Sequence, residues 1–185
     1  RAELEYRPHG QWSDGYADWR DPANAARTQA PQPDTDGFRF IQGQGVVQGE
    51  LFGGCIEVLE FLKGTRFWPE PEFWEGKLLF LETSEEKPST EQVKRWLRNY
   101  GLQGVFERIS GLLFGRPAYF SREEKAALER VLLGVVADEF GEAELPMVTN
   151  VDFGHTDPQF ILPLGVRAEV DCGARRFRLL EPAVG

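Results

Sequence analysis

The stretch KLLFLETSEE, residues 77–86, places a run of large apolar residues directly before a group of acidic and hydroxyl-bearing ones. An apolar run without polar alternation is typical of a strand that is buried on both faces of a sheet. We therefore predict a buried strand from Lys77 to Leu81, which ends at Glu82. In α/β folds, the loops that follow such strands open into the crevice where active sites lie.

Helix and strand patterns continue on both sides of this stretch. Gly53-Gly54 precedes a predicted helix, and capping boxes at Ser89-x-x-Gln92 and Ser121-x-x-Glu124 predict the starts of two more. The mixed order of helices and strands, with strands alone at the ends, predicts an α/β fold in which a mixed β-sheet has flanking helices. The other predicted strands are Phe38–Ile41, Val46–Leu51, Ile109–Phe114, Leu145–Val151, Leu162–Gly165, Val166–Val170 and Phe177–Leu180, the last two as a hairpin.

Residues 1–37 differ in texture from residues 38–185, which we interpret as one globular domain. The first segment is polar and rich in Asp, Ala and Pro, and residues 24–37 read as a linker. A wholly disordered segment rarely carries many aromatic residues, so we predict an arm that packs on its own domain, on an absent domain or on a second subunit. Its aromatic residues are Tyr6, Trp12, Tyr16 and Trp19.

The charge balance argues against two classes of partner. A net charge of -9 from scattered acidic residues repels phosphate backbones and anionic lipid headgroups, so we expect neither nucleic-acid nor membrane binding. Cys55 and Cys172 form no disulfide framework, and the two cysteines and two histidines lack metal-ligand spacing. We therefore expect no metal, no cofactor and a cytoplasmic location. Since the chain opens at Arg1 and its single methionine is Met147, we interpret it as a piece of a longer protein.

Two residues are candidates for catalysis. His155 lies in a turn just past a predicted buried strand, where an imidazole with a pKa near 6.5 suits a general base; the alternative is a histidine that satisfies the turn through backbone hydrogen bonds. Glu82 ends another buried strand, where a carboxylate can orient an imidazole. The alternative for Glu82 is a solvated loop acid, as we expect for Glu85 and Glu86.

A nucleophile is missing from the sequence. No serine lies in the Gly-x-Ser-x-Gly turn that exposes a nucleophile, and Ser89 and Ser121 are better explained as helix caps. Cys55, at a predicted helix N-terminus, is a rival nucleophile. The backbone N–H groups of Gly53 and Gly54 could instead bind a substrate carboxylate or phosphate. The remaining serines are Ser13, Ser84 and Ser110.

Several segments in a fixed order resemble a known family. From about Gln42 to its end, the chain resembles the C-terminal domain of the serine-type LD-carboxypeptidases, and in particular the branch related to microcin C immunity proteins. The order of an apolar strand that ends in Glu, followed later by Asp-Phe-Gly-His-Thr, is the most specific part of this likeness. The segments are Gly49–Cys55, Gly64-Thr65, Leu79–Glu86, Gly111–Gly115 and Asp152–Pro158.

The resemblance implies a two-domain enzyme. An N-terminal domain, expected before Arg1, would hold the serine and the oxyanion hole. This chain would be the swivelling β/β/α domain that supplies Glu82 as the orienting acid and His155 as the general base. It also implies a homodimer, and residues 1–37 as the connector between the domains. Many family members have Asn after the Gly-Gly pair, where this chain has Cys55. Gly54 and Cys55 are therefore candidates for substrate binding, and the cysteine implies a substrate specificity different from that of the other members.

The implied reaction is amide hydrolysis through an acyl-enzyme. The implied substrate is either a murein tetrapeptide or an aminoacyl or peptidyl nucleotide, and an isolated chain without the serine should be inactive. Trp12 and Trp19 would lie near the binding cleft, either for packing or to stack on a ligand. The alternative is a non-catalytic ligand-binding or dimerisation module with the same fold. The catalytic hypothesis requires that Glu82 and His155 share a hydrogen bond beside an open cleft.

Overall fold

A computed structural model of the chain describes residues 4–15, 17, 20–25, 27 and 29–184. Its α-helices are α1 (Ile56–Glu60), α2 (Thr90–Leu102) and α3 (Arg122–Leu133), and a π-helical turn, Gly134–Glu139, continues α3. Short 3-10 helices cover Pro22–Asn24 and Pro71–Trp74. Its strands are β1 (Leu4–Tyr6), β2 (Gln11–Trp12), β3 (Gln32–Pro33), β4 (Arg39–Gln42), β5 (Val46–Cys55), β6 (Leu78–Glu82), β7 (Gly111–Gly115), β8 (Met147–Val151), β9 (Arg167–Asp171) and β10 (Arg176–Leu179).

The strands form one mixed eight-stranded sheet and a small separate ribbon. The order across the large sheet is β1-β10-β9-β5-β6-β7-β8-β4, and β2 pairs with β3. The four central strands β5, β6, β7 and β8 are parallel to one another, whereas the outer strands pair antiparallel. The predicted mixed α/β fold is therefore confirmed.

The register of the parallel strands brings their carboxyl ends to one edge of the sheet. Cys55, the last residue of β5, lies opposite Glu82, the last residue of β6. Gly115 at the end of β7 pairs with Val151 at the end of β8. The loops that follow these strands therefore emerge side by side, as expected for the crevice edge of an α/β sheet.

Side chains of alternate strand residues fill two cores, one on each face of the sheet. All three α-helices pack on one face, against Leu79 and Leu81 of the central strand β6. The apolar side chains of the helices and of this face of the sheet form one buried cluster, which includes Trp74 and Tyr100. Leu78 and Phe80 point to the opposite face, which chain segments around Phe38, Phe153 and Phe160 cover without a helix.

Several predicted strands are shifted by one or two residues, and two predictions differ further from the structure. Strand β5 continues through Gly53-Gly54 to Cys55, and α1 starts only at Ile56. A Cβ on Gly53 would lie 1.7 Å from the carbonyl oxygen of Phe80, so glycine lets β5 and β6 approach closely. Residues 162–165 form no strand, because Pro163 has no N–H to donate and Gly165 turns the chain with a φ of +76°.

The arm at the start of the chain packs on its own domain. Strand β1 pairs with β10 at the edge of the large sheet, and the ring of Tyr6 stacks on Phe177, 4.9 Å between centroids. The Tyr6 hydroxyl donates a hydrogen bond to the carbonyl of Ile161 over 2.7 Å. The sequence left open whether the arm packs on its own domain, on an absent domain or on a second subunit, and its described residues pack on their own domain. Tyr16 and Trp19 lie outside the described residues.

Candidate active site

Glu82 and His155, separated by 73 positions in the chain, meet at the carboxyl edge of the parallel strands. Nδ1 of His155 lies 2.7 Å from Oε2 of Glu82. Glu82 ends β6, and His155 follows β8 in the loop after Asp152, so the strand order brings the two together. The carboxylate side chain is 9% exposed and the imidazole 37% exposed. The geometric requirement of the catalytic hypothesis is met.

Two glycines make room for the Glu82 carboxylate. A Cβ on Gly154 would lie 2.8 Å from Oε2 of Glu82, and one on Gly115 would lie 2.8 Å from its Cβ. Gly154 also has a φ of +106°, which L side chains rarely adopt. The chain around Glu82 therefore depends on glycine on both sides, which the motif Asp-Phe-Gly-His provides on the side of His155.

A second carboxylate lies on the other side of the imidazole. Nε2 of His155 is 3.2 Å from Oε2 of Glu85, whose side chain is 65% exposed. The ring thus lies between a buried carboxylate on Nδ1 and an exposed one on Nε2. The sequence offered Glu85 only as a solvated loop acid, and nothing in the pattern around it indicated this contact.

The open side of the imidazole borders a cleft of about 670 Å³. This volume lies within the range of small-molecule sites. The arm supplies one wall, and the loops after β6 and β8 supply another. The cleft is lined by Asp14, Gly15, Ala17, Arg20, Glu85, Tyr119, Gly154, His155, Asp157 and Gln159.

The surrounding carboxylates favour the protonated imidazole. The hydrogen bond to Glu82 is the main cause that raises the pKa of His155, and the negative charges of Glu82, Glu85 and Glu57 add to it against the opposing effect of burial. When the ring is neutral, a proton on Nδ1 satisfies Glu82 and leaves Nε2 as the acceptor. The nitrogen that could take a proton is thus the one that Glu85 now contacts.

A buried ion-pair network joins the arm to the His155 loop. Arg116 donates to Asp152 over 2.6 Å and 3.0 Å and to Asp34 over 3.0 Å and 3.3 Å. All three side chains are nearly fully buried. Although burial alone would raise it, Arg116 holds the pKa of Asp34 below its usual range. Asp152 also accepts the backbone N–H of His9 over 2.8 Å, so residues at the start of the chain are tied to the catalytic loop.

Sequence reasoning missed this network, although a signal for it existed. Arg116 directly follows Gly115 at the end of β7, and Asp152 directly follows Val151 at the end of β8. Opposite charges just beyond two adjacent buried strands indicate an ion pair, because neither charge can remain alone in such a place. The parallel neighbourhood of β7 and β8 had to be known first.

Trp12 takes part in packing within this region. The guanidinium of Arg116 lies 4.8 Å and the ammonium of Lys125 lies 3.9 Å from the centroid of its ring, as cation–π contacts. Trp12 itself is 8% exposed. It lines a separate cavity of about 400 Å³ and not the cleft beside His155. Trp19 lies outside the described residues.

Cys55 lies opposite Glu82 in the sheet, in surroundings that disfavour the thiolate. Its Sγ lies 3.2 Å from Oε2 of Glu57, to which it donates. Burial, together with the Glu57 and Glu82 carboxylates, raises the pKa of the Cys55 thiol to about 12. A thiol that stays protonated at neutral pH is a poor nucleophile, so the rival cysteine hypothesis loses its basis. Gly54 and Cys55 lie outside the lining of the cleft beside His155, and their role in substrate binding stays a prediction.

The serines take other roles. Ser89 and Ser121 cap α2 and α3 as predicted, each in a complete capping box. The Ser84 hydroxyl donates a hydrogen bond to Glu57, and the backbone of Ser13 forms an antiparallel β-bridge with that of Asp157. Among the described residues, the polar partners of the His155 ring are carboxylates and no serine hydroxyl.

The described residues contain neither a metal-ligand cluster nor a membrane-spanning helix. In that part of the chain, no group of three or more His, Cys, Asp or Glu side chains is placed to hold a metal ion. Nor does any described helix have the length and apolar character to cross a membrane.

Together, the mixed sheet and the carboxylate–imidazole pair at its edge define an α/β domain that presents an acid and a base beside a cleft. The chain belongs to the family of the LD-carboxypeptidase C-terminal domain, whose model matches residues 48–170. The resemblance inferred from the motifs is thereby confirmed.

Two relatives of known name align with nearly the whole of this chain. A protein of Vibrio cholerae, provisionally named a carboxypeptidase, is 28% identical over 177 residues, which are 96% of this chain and 49% of that protein. The microcin C7 self-immunity protein MccF of Escherichia coli is 26% identical over 171 residues, or 92% of this chain and 46% of MccF. The chain thus spans about half the length of these relatives.

Solved structures of similar proteins have the same fold. An MccF-like protein from Streptococcus pneumoniae, solved in complex with AMP, superposes on this chain with a TM-score of 0.79 at 30% sequence identity. The superposition covers 97% of this chain and 53% of the Streptococcus pneumoniae chain. MccF in complex with glutamyl sulfamoyl guanosine gives a TM-score of 0.77 at 25% identity, over 100% of this chain and 52% of its own.

Proposed function

We propose that this chain supplies the general base and the orienting acid of a serine-type amide hydrolase, and that a separate N-terminal domain supplies the nucleophile. The observation that carries the proposal is the 2.7 Å hydrogen bond between His155 Nδ1 and Glu82 Oε2, with the ring at the border of an open cleft. The length of the relatives, about twice that of this chain, supports a second domain.

Each residue has a defined step in this mechanism. Glu82 accepts a hydrogen bond from Nδ1–H and so holds the ring in the tautomer whose Nε2 lone pair faces outward. Nε2 of His155 then takes the proton of the attacking serine and returns it to the leaving amine. While the ring carries both protons, the Glu82 carboxylate stabilises the imidazolium.

Glu85 must leave Nε2 before the serine can approach. Its contact of 3.2 Å occupies the position that the nucleophile needs. Because the Glu85 side chain is exposed, its ion pair with the imidazole contributes about 1 kcal/mol or less. Docking of the nucleophile domain can therefore displace it at small cost.

We further propose a small aminoacyl or peptidyl nucleotide as the substrate class. The support comes from the relatives: one solved MccF-like protein binds AMP, and MccF binds glutamyl sulfamoyl guanosine and aspartyl sulfamoyl adenosine. The cleft volume of about 670 Å³ suits a ligand of that size. A murein tetrapeptide is the competing substrate and serves as the second arm of the assay.

The test begins with the gene. The proposal predicts an upstream domain with a serine in a sharp strand-to-helix turn. The longer product should hydrolyse an aminoacyl sulfamoyl adenosine, with a murein LD-tetrapeptide assayed in parallel. His155→Ala should lower kcat by about 10⁶-fold and Glu82→Gln by about 10⁴-fold.

Glu91→Gln is the matched control. Glu91 is an exposed acid of α2 paired with Arg95, and its loss should leave the rate unchanged. A gene without the upstream serine, or a longer product in which His155→Ala keeps full activity, would contradict the proposal. The first of these results would leave a ligand-binding module with the same fold.

A further inference from the structure

Glu57 makes contacts that neither the helix nor the hydrolytic mechanism accounts for. It is the second residue of α1 and is half-buried at the edge of the sheet where Glu82 ends β6. An acid in the first turn of a helix is stabilised by the helix dipole or caps a backbone N–H group at the start of its own helix. Here both carboxylate oxygens accept hydrogen bonds from residues that flank the candidate active site.

One oxygen of Glu57 fixes the loop that follows Glu82. Oε1 accepts the backbone N–H of Ser84 over 3.0 Å and the Ser84 hydroxyl over 2.9 Å. Ser84 Oγ in turn accepts the N–H of Glu86 over 3.2 Å. The loop that carries Glu85 to the imidazole is thus anchored on both sides of Glu85.

The other oxygen of Glu57 holds the Cys55 thiol. Oε2 accepts the S–H over 3.2 Å. Cys55 is also opposite Glu82 in the register of β5 and β6, so the negative charges of both carboxylates act on the thiol. After burial, these carboxylates are what raises the pKa of the thiol to about 12. A cysteine next to a catalytic acid is thereby kept from ionising and reacting.

We propose that Glu57 is a positioning residue, which fixes the loop after Glu82 through Ser84 and holds the Cys55 thiol through a hydrogen bond from its S–H. Its relevance to catalysis rests on the proposed hydrolase function. Both of its effects, however, are properties of this chain without substrate. They can therefore be measured even if the hydrolase proposal fails.

The test compares Glu57→Gln with Glu60→Gln in the purified chain. Both variants remove one negative charge from α1, but Glu60 contacts Lys63 and Asn99 instead of the site. The first readout is the alkylation rate of Cys55 at pH 8, with Cys172 as an internal reference thiol. Glu57→Gln should accelerate Cys55 about three- to tenfold, because more thiolate forms, whereas Cys172 should not change.

The second readout is the imidazole titration of His155, followed by NMR. The Glu57 charge is one of the causes that raise the pKa of His155, so Glu57→Gln should lower it while Glu60→Gln has a smaller effect. Ser84→Ala separates the two roles, since it removes both contacts of the Ser84 hydroxyl, to Glu57 and to Glu86, and leaves the thiol contact intact. Equal alkylation rates and equal His155 titrations in the two glutamine variants would overturn the proposal, provided that both unfold at the temperature of the parent chain.

Discussion

Gly154 packs against Glu82 so closely that a Cβ at this position would lie 2.8 Å from the carboxylate oxygen Oε2. This is the oxygen that shares the 2.7 Å hydrogen bond with Nδ1 of His155. The residue immediately before the candidate base therefore sets the distance between base and acid. Any side chain there has to move either the carboxylate or the loop.

We expect Gly154→Ala to break the Glu82–His155 hydrogen bond and to destabilise the fold. Gly141→Ala is the control, because Gly141 also has a left-handed φ, +80°, but has open space around its Cβ position. The control should lower the free energy of unfolding by about 1–2 kcal/mol from backbone strain alone. Gly154→Ala should cost more, as measured by urea unfolding. Equal losses in the two variants would mean that the close approach to Glu82 has no energetic weight.

The protonation of His155 should depend on two carboxylates to different degrees. The hydrogen bond to Glu82 is the largest cause that raises the pKa of the imidazole, and the charge of Glu85 is a smaller one. In NMR titrations of the isolated chain, Glu82→Gln should therefore lower the pKa more than Glu85→Gln does. Glu86→Gln, which removes the same charge one residue further on, should have the least effect. A larger shift in Glu85→Gln than in Glu82→Gln would reverse this assignment.

The same pairing should make the stability of the chain depend on pH. The pKa of His155 is raised in the folded state. The stabilisation that the protonated ring contributes is therefore complete below the pKa of the unfolded chain, about 6.5, and is lost as the pH rises through the pKa of the folded chain. The free energy of unfolding should therefore fall over that window, by less than about 1 kcal/mol because the ring is partly exposed. Glu82→Gln should flatten this part of the curve, measured by urea unfolding between pH 6 and 9.

The Arg116 network should carry a large share of the stability. Arg116→Ala leaves the buried carboxylates of Asp34 and Asp152 without a partner, which costs about 3–5 kcal/mol. For a chain of this size, that loss lowers the melting temperature by about 10 °C. Arg98→Ala is the control, since it breaks an exposed pair with Glu139 and should cost less than about 1 kcal/mol. Similar melting temperatures for the two variants would show that the buried network is not a stabilising one.

The sequence predicted those features that depend on local pattern. The apolar run that ends at Glu82, the capping boxes at Ser89 and Ser121, and the turn with His155 each carried their own signal. That Glu82 and His155 meet was implied by the resemblance to the LD-carboxypeptidase family, and it agrees with the rule that active sites lie at the carboxyl ends of parallel strands. The central β6 and the candidate acid–base pair were accessible in this way.

The remaining features depend on contacts between distant segments, which local patterns do not record. Gly53-Gly54 resembled the start of a helix, yet glycine is required at position 53 because β5 passes the carbonyl of Phe80 at close range. The partnership of Arg116 with Asp34 joins positions 82 residues apart. The contact of Glu85 with Nε2 depends on the shape of a loop that Glu57 holds through Ser84.

The last prediction concerns the pH dependence of the two-domain enzyme. A general base must be neutral to accept a proton, so kcat/KM should rise with pH through the pKa of His155. Glu85 is one of the charges that raise this pKa, and it contacts the nitrogen that must accept the proton. Glu85→Gln should therefore shift the ascending limb of the profile to lower pH and raise kcat/KM at pH 6, while the plateau at high pH stays unchanged. A limb that does not move in this variant would show that Glu85 is already displaced from Nε2 when the nucleophile domain is present.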